Sequence, residues 1–350
     1  MKMTVHERPG VYSAYSSSTV VNGGGGRKAV GLAAVCETAQ EMGKVQVVTS
    51  FEQAAALFGT GEMTELIRII LRNGAGSVAA VPIADGAGYA GGFEALEKVE
   101  NLAVLVCGST QAEVHTVLRT SVERSSQARR ERIAVAGGGA GETVAQLIAR
   151  ARELNSERMV LVAPGSTDGA GEALDGVRLA AAVAGAIAAE SDPALPLSGA
   201  ALYGLYGVSE DYNDNEIDLL VQGGVTPVES VGGAISVVRG VTTRTKTGQE
   251  EDLTWRELST ILIVDDVIPA VRGALRSRFQ RSKNTEQSRG AIRSQVILTL
   301  ENKLSREIIT GYDGVRVSVD PERPSVCLVD FSFTVAHGLN QIWLTAHITI

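Results

Sequence analysis

The sequence predicts an α/β layered domain, then a smaller α+β domain, with an extended β-arm at each end. Three observations carry this. From residue 30 to about 190, short apolar runs alternate with helical patterns, the signature of a mostly parallel sheet covered on both faces. Beyond Pro193 and Pro196 the texture changes to long helices followed by strands in which apolar residues alternate. The last ten residues alternate strictly, with Ile342, Leu344, Ala346, Ile348 and Ile350 on one face and Gln341, Trp343, Thr345, His347 and Thr349 on the other.

In chain order, residues 1–22 read as an N-terminal arm. Val11 to Val21 is rich in Tyr, Ser, Thr and Val, and Val11, Tyr12, Tyr15 and Val20 are its candidate contact residues. Gly23, Gly24, Gly25 and Gly26 form a hinge, because glycine samples backbone angles that other residues avoid. The α/β domain spans 27–200. Its expected strands are Ala29–Val35, Lys44–Ser50, Ser77–Ile83, Leu102–Gly108, Arg132–Ala136 and Arg158–Ala163. Its expected helices are Phe51–Phe58, Glu62–Asn73, Phe93–Val99, Gln111–Arg124, Glu142–Leu154 and Leu174–Ala189. The α+β domain spans 201–338, with helices at Glu216–Gln222, Thr254–Gln280 and Glu286–Ile309 and strands at Val315–Val319 and Cys327–Val335. Pro269 should kink or break the second helix. Residues 339–350 are the C-terminal arm.

Composition narrows the function. A chain of 350 residues with 44% hydrophobic and 21% charged content is globular. A net charge of −8 argues against a general nucleic-acid binder. Met1 to Gly10 is too polar for a cleavable signal peptide, and Leu179–Ala189 is too short to cross a membrane, so a soluble protein made in the cytoplasm is expected. Cys36, Cys107 and Cys327 lie apart in apolar runs and read as reduced core residues.

Enzyme chemistry fails on spacing. Gly137, Gly138, Gly139 and Gly141 sit between strand and helix, but Glu142 stands where a dinucleotide fingerprint needs its third glycine. Asp211, Asn213 and Asn215 imitate the start of a calcium loop, but Glu216 replaces its glycine and Gln222 its bidentate glutamate. An ordinary helix start capped by Asp214 or Asn215 and stopped by Gly223 explains that segment. His6, His115, His337 and His347 share no ligand spacing. No catalytic residue, cofactor or metal is expected. The alternative is a nucleotide-binding α/β enzyme that dimerises through its terminal strands; another self-assembling shell or filament subunit is a third reading.

Several runs resemble the contractile tail sheath proteins of phages and phage-tail-like bacteriocins. They are Arg8-Pro9-Gly10-Val11-Tyr12, Glu216 to Leu220, Gly224-Val225-Thr226-Pro227, Val237 to Thr243, Thr254 to Leu258, the Val267–Phe279 helix, Asn284 and the closing strands. The resemblance implies a subunit of stacked hexameric rings, a helical polymer around an inner tube, whose contraction drives the tube through a cell envelope. It implies as partners other copies of the chain, the inner tail tube protein, the baseplate and the tail terminator, with no nucleic acid and no membrane insertion. It places the protein in a virion or phage-tail-like particle assembled in the bacterial host cytoplasm. It also implies a subtilisin-like middle domain with no active triad. The chain is short for the family, which suggests a minimal sheath.

Two site expectations follow. Arg272, Arg276, Arg278, Arg281 and Lys283, with Arg289 and Arg293, have only Glu286 as an acidic neighbour in sequence; they are candidates to hold an acidic tube surface, or simply a solvated face. The arm residues Ile342, Trp343, Leu344, Ile348 and Ile350 are candidates to join a small sheet on a neighbour, beside a strand such as Cys327–Val335 and another copy's N-terminal arm. Twelve extended residues reach roughly 40 Å and twenty-two about 70 Å. The alternative is that the tail closes a sheet of its own domain.

Overall fold

A computed structural model describes residues 28–339. The N-terminal arm, the hinge Gly23 to Gly26 and the C-terminal arm beyond Leu339, with the candidate residues Val11, Tyr12, Tyr15, Val20, Ile342, Trp343, Leu344, Ile348 and Ile350, lie outside the described residues.

The apolar runs form a nine-stranded sheet. Its first strands are β1 (Ala29–Val35), β2 (Gln46–Val48), β3 (Ser77–Ile83), β4 (Leu102–Cys107), β5 (Ile133–Gly137) and β6 (Met159–Ala163). Three more follow, β7 (Ala201–Leu202), β8 (Val225–Val231) and β9 (Ala234–Val237), giving the order β2-β3-β1-β4-β5-β6-β8-β9-β7. From β3 through β8 neighbouring strands are parallel, while β2, β9 and β7 pair antiparallel at the two ends. The sheet therefore crosses the expected domain boundary at residue 200. The strands β7 to β9, which the sequence pattern does not predict, carry the sheet to residue 237.

Helices cover both faces. On one, α1 (Phe51–Phe58), α2 (Glu62–Arg72) and α6 (Val177–Ala189) bury Phe58, Leu66, Ile67, Ile70, Val183 and Ile187 against the sheet. On the other, α3 (Tyr89–Glu97), α4 (Ala112–Gln127), α5 (Val144–Leu154) and α7 (Asp214–Gln222) bury Phe93, Leu96, Leu118, Leu147 and Leu220. The alanine run of α6 lets it lie close to α2. At Gly185 a Cβ would stand 2.6 Å from the Ile70 carbonyl oxygen, so only glycine fits there. The start of β5 carries a buried Arg132, whose guanidinium donates to the carbonyls of Leu96 (2.9 Å) and Val99 (3.0 Å) and so closes the end of α3. Burial lowers its pKa to about 10.

The remainder is the short hairpin β10 (Lys246–Thr247) and β11 (Glu250–Glu251), three helices, α8 (Leu253–Arg256), α9 (Leu258–Phe279) and α10 (Glu286–Ser305), and a ribbon of β12 (Ile309–Val319) with β13 (Cys327–Val335). Three expectations need correction here. The break in the long helix falls at extended Glu257, between α8 and α9, while the helix runs on through Pro269. α10 stops at Ser305 and β12 starts at Ile309, six residues before the expected Val315, with register shifts at Ile309/Gly311 and Asp313/Arg316. The glycines there mark bulges within a strand. The cap of α7 is Asn213, whose side chain accepts from the Asn215 and Glu216 N–H groups while Glu216 reaches back to Asn213. Cys36, Cys107 and Cys327 are free thiols; the first two are buried and Cys327 is only half-buried.

A candidate assembly surface and the joint beneath it

α9, α10 and the ribbon share a separate small core of Ile263, Val267, Val271, Val296, Leu300, Ile309 and Val315. The ribbon contributes only one face to it. Along β13 burial alternates, with Phe331, Phe333 and Val335 packed against this core and Asp330, Ser332 and Thr334 outward. Among the described residues β12 pairs only with β13, so each strand keeps one edge of N–H and C=O groups without a ladder partner. A two-stranded ribbon of this kind is marginal unless packed or extended by further strands.

The basic cluster sits at the turn between α9 and α10. Arg276, Arg278, Arg281 and Lys283 are exposed there, and Arg276 and Arg278 occupy the last turn of α9, where a cation also favours the negative end of the helix. Arg278 donates to Gln295. Asn284 closes the turn by donating to the Pro324 carbonyl (2.8 Å), and Arg289 donates to Asn284 (3.0 Å). Arg293 donates to the Val315 carbonyl (2.9 Å) and pins the ribbon to α10. Arg272 departs from the expectation. It lies half-buried and pairs with Glu131 at 3.2 Å, so it ties α9 to the start of β5.

That pair is joined by a second between the sheet and α9, and by one between α9 and α10. Arg158, at the start of β6, donates in a fork to Asp265 of α9 at 2.8 and 3.0 Å, with side chains only 4% and 11% exposed. Lys303 of α10 pairs with Asp266 of α9. Burial pushes the Asp265 carboxyl up to about 7 against the opposing pull of Arg158. The sequence reading missed these residues. Two adjacent acids inside the apolar stretch Ile261 to Val271 were the available signal, since acids are fully buried only when paired.

Hydroxyls complete the joint. Thr226 Oγ1 donates to the Val241 carbonyl (2.8 Å), Thr242 Oγ1 to the Trp255 carbonyl (2.6 Å) and Thr243 Oγ1 to the Ser156 carbonyl (3.1 Å). Arg239 pairs with Glu257. The runs that carry the resemblance, Gly224 to Pro227, Val237 to Thr243 and Thr254 to Leu258, are thus the strand, turns and short helix that join the two parts of the molecule.

The nucleotide alternative is weakened by the Gly137–Gly141 turn itself. Gly139 N–H donates to Glu142 at 2.6 Å, and Glu142 is held by Arg150, so a carboxylate occupies the place a phosphate would take. A Cβ on Gly137 would lie 2.2 Å from the Gly176 backbone, which makes its glycine a matter of close chain approach. The calcium imitation is the α7 cap. His115 is buried with Nε2 2.9 Å from the Ser109 carbonyl, and burial lowers its pKa to about 4. No group of metal-ligating side chains forms among the described residues.

Residues 84–243 match the phage tail sheath protein central domain, and residues 250–349 match the phage tail sheath C-terminal domain. The chain belongs to the phage tail sheath protein family. It is 29% identical over 251 residues to the tail sheath protein of Bacillus phage SP01; the alignment covers 70% of this chain and 43% of that relative, so the chain spans less than half its length. Its fold is shared with the crystal structure of a sheath tail protein from Desulfitobacterium hafniense, at 13% identity and a TM-score of 0.69, covering 93% of this chain and 100% of that one. It is shared also with the helical sheath of the anti-feeding prophage in its contracted state, at 17% identity and a TM-score of 0.71, covering 98% and 99%.

Proposed function

We propose that the protein is a structural, non-enzymatic subunit of a contractile tail sheath. Copies stack as hexameric rings around an inner tube, and contraction drives the tube through a cell envelope. The observation that carries this reading is the β12–β13 ribbon, whose edges are open among the described residues in a chain that continues on both sides with strand-like segments. The C-terminal arm, through Ile342, Leu344, Ile348 and Ile350, adds to the ribbon of a neighbouring copy, and an N-terminal arm carrying Val11, Tyr12, Tyr15 and Val20 adds beside it. Gly23 to Gly26 let the bodies reorient while the arms stay paired. Arg276, Arg278, Arg281 and Lys283 face an acidic inner tube. The particle, phage or phage-tail-like, is assembled in the host cytoplasm and carries a baseplate and terminator at its ends.

Negative-stain microscopy of the purified full chain tests this: tubes are expected, and a chain that stays monomeric at high concentration with both arms intact overturns it. Removing residues 341–350 should leave a folded, soluble monomer that forms no tubes. An insoluble or unfolded product would show instead that the tail closes its own domain.

A further inference from the structure

The end of α6, the loop of residues 190–200 and the start of α9 line a half-open cavity of about 350 Å3. Its wall is mainly apolar, with Ile187, Pro196, Leu197, Leu258 and Leu262. The loop is fixed rather than collapsible: Glu190 accepts from the Ser191 (2.8 Å) and Asp192 (3.0 Å) N–H groups, and Asp192 accepts from Ala194 (2.9 Å).

Both ends of the described chain meet this cavity. Lys28, the first described residue, lines it. At the other end Gly338 lies so close to Pro196 that a Cβ there would stand 2.7 Å from the proline Cβ. Leu339 follows, 73% exposed, and the sequence continues Asn340-Gln341-Ile342-Trp343-Leu344. Trp343 is five residues beyond Gly338, a reach of up to ~17 Å in extended chain.

We propose that in the free subunit this cavity seats the Trp343 side chain of the same chain, holding residues 340–350 against their own body until another copy takes the strand. The cavity is at the small end of the ~300–1,000 Å3 range of ligand sites, which suits one indole-sized group. An apolar wall with polar groups at the loop suits an indole, which has an apolar body and a single N–H. Strict alternation puts Trp343 on the face opposite Ile342 and Leu344. The aliphatic face that strand addition would bury is therefore not the face that docks. A tail held in this way is withheld from neighbours, which raises the protein concentration at which polymerisation begins; that last step rests on the sheath reading, whereas the docking itself does not.

The test uses dilute full-length protein carrying Cys327→Ser with Leu195→Cys at the cavity rim and Thr345→Cys on the Trp343 face, treated with a copper–phenanthroline oxidant. An internal disulfide within a monomer is expected on non-reducing gels, and its loss in Trp343→Ala and in the cavity-filling Ala200→Phe. Disulfide-linked dimers in place of the internal bridge would assign the cavity to another copy's tail and overturn docking within one chain. A bridge that persists in Trp343→Ala would overturn the role of the indole, whether or not Ala200→Phe folds. In a Trp255→Phe background the Trp343 emission should be blue-shifted and move to the red in 6 M urea; a solvent-like maximum in the folded chain also overturns the proposal. Trp343→Ala should lower the concentration at which tubes form. Absence of tubes from every variant would count against the sheath reading and leave the cross-link to judge the docking.

Discussion

The interior of the nine-stranded sheet and the joint that carries α9 and α10 share apolar packing but differ in the buried polar contacts added to it. Within the sheet, Val30, Leu32, Val106, Val135 and Val162 are fully buried on one face and Leu105, Ala134 and Leu161 on the other, all of them apolar. At the joint, Trp255, Leu258, Ile261 and Val264 continue the apolar core of one sheet face, and Arg158–Asp265, Arg272–Glu131 and three threonine hydroxyls add directional contacts to it. Apolar burial is non-directional and rewards any close packing. A forked arginine–carboxylate pair accepts only a narrow geometry. The sheet is therefore specified by pattern, whereas at the joint a few polar contacts add a narrow geometry to apolar packing that would tolerate several.

The largest expected effect is at the joint. Asp265→Ala leaves Arg158 buried without its carboxylate and should cost ~3–5 kcal/mol in denaturant unfolding. The double variant Arg158→Met/Asp265→Leu should cost clearly less, because it removes both charges rather than stranding one. In the sheet the same logic is absent. Leu161→Ala should cost ~2–5 kcal/mol through cavity and transfer terms alone, and no second substitution of a neighbour by a similar-sized apolar residue should rescue it. A double joint variant as damaging as Asp265→Ala would break the distinction.

The same contrast explains what could be read in advance. β1, β3 and α1 were legible to the residue because their apolar runs fill a sheet or helix whose period sets the pattern. β8 was missed because Pro227 sits within it, which ordinarily demotes a strand. The Gly232-Gly233 pair between β8 and β9, with φ of +61° and +83°, was a hairpin signal that outweighs it. β12 was truncated because Gly311 and Gly314 resemble a turn. The basic cluster was legible as a charge anomaly, but the difference between Arg272, paired across the joint, and exposed Arg276 was not. That depends on which helix face meets Glu131, a tertiary fact.

A smaller effect is expected from a single hydroxyl. Thr242→Val keeps the shape but leaves the buried Trp255 carbonyl without its donor, and should cost ~1–3 kcal/mol. Thermal or chemical unfolding reads it directly, and a neutral result would mean that packing and the Thr242 N–H bond to the Arg256 carbonyl hold α8 without the hydroxyl.

Acidity probes the joint with a sign of its own. Folded Asp265 titrates at about 7, above the ordinary value of 3.8. Between those values the folded chain holds a proton that the unfolded chain has lost, so this group's contribution to stability is present in full below about pH 4 and is lost as pH rises through 7. The slope is at most ~1.4 kcal/mol per pH unit. Comparing the parent with Asp265→Asn at pH 5 and pH 7 cancels groups common to both; a difference that does not change with pH would place Asp265 outside this balance.

In salt, the smallest effect on stability is expected where the effect on assembly is proposed to be large. Arg276→Glu/Arg278→Glu alters exposed side chains of which, among the described residues, only Arg278 has a hydrogen-bond partner, Gln295. Reversal also places two anions at the C-terminal end of α9, which opposes the helix dipole by ~0.3–1 kcal/mol for each charge at low ionic strength. Two cations lost and two anions gained make four such terms, ~1–4 kcal/mol in all at low ionic strength and toward the low end in salt, because exposed charges are screened over ~8–10 Å. Binding to an acidic tube surface has no such cushion, since both reversed charges would face the partner directly. Co-sedimentation with the inner tube protein should fall while tube formation by the sheath alone is retained. Retained co-sedimentation would identify the cluster as a solvated helix end, and loss of self-assembly would place these arginines between copies of the chain.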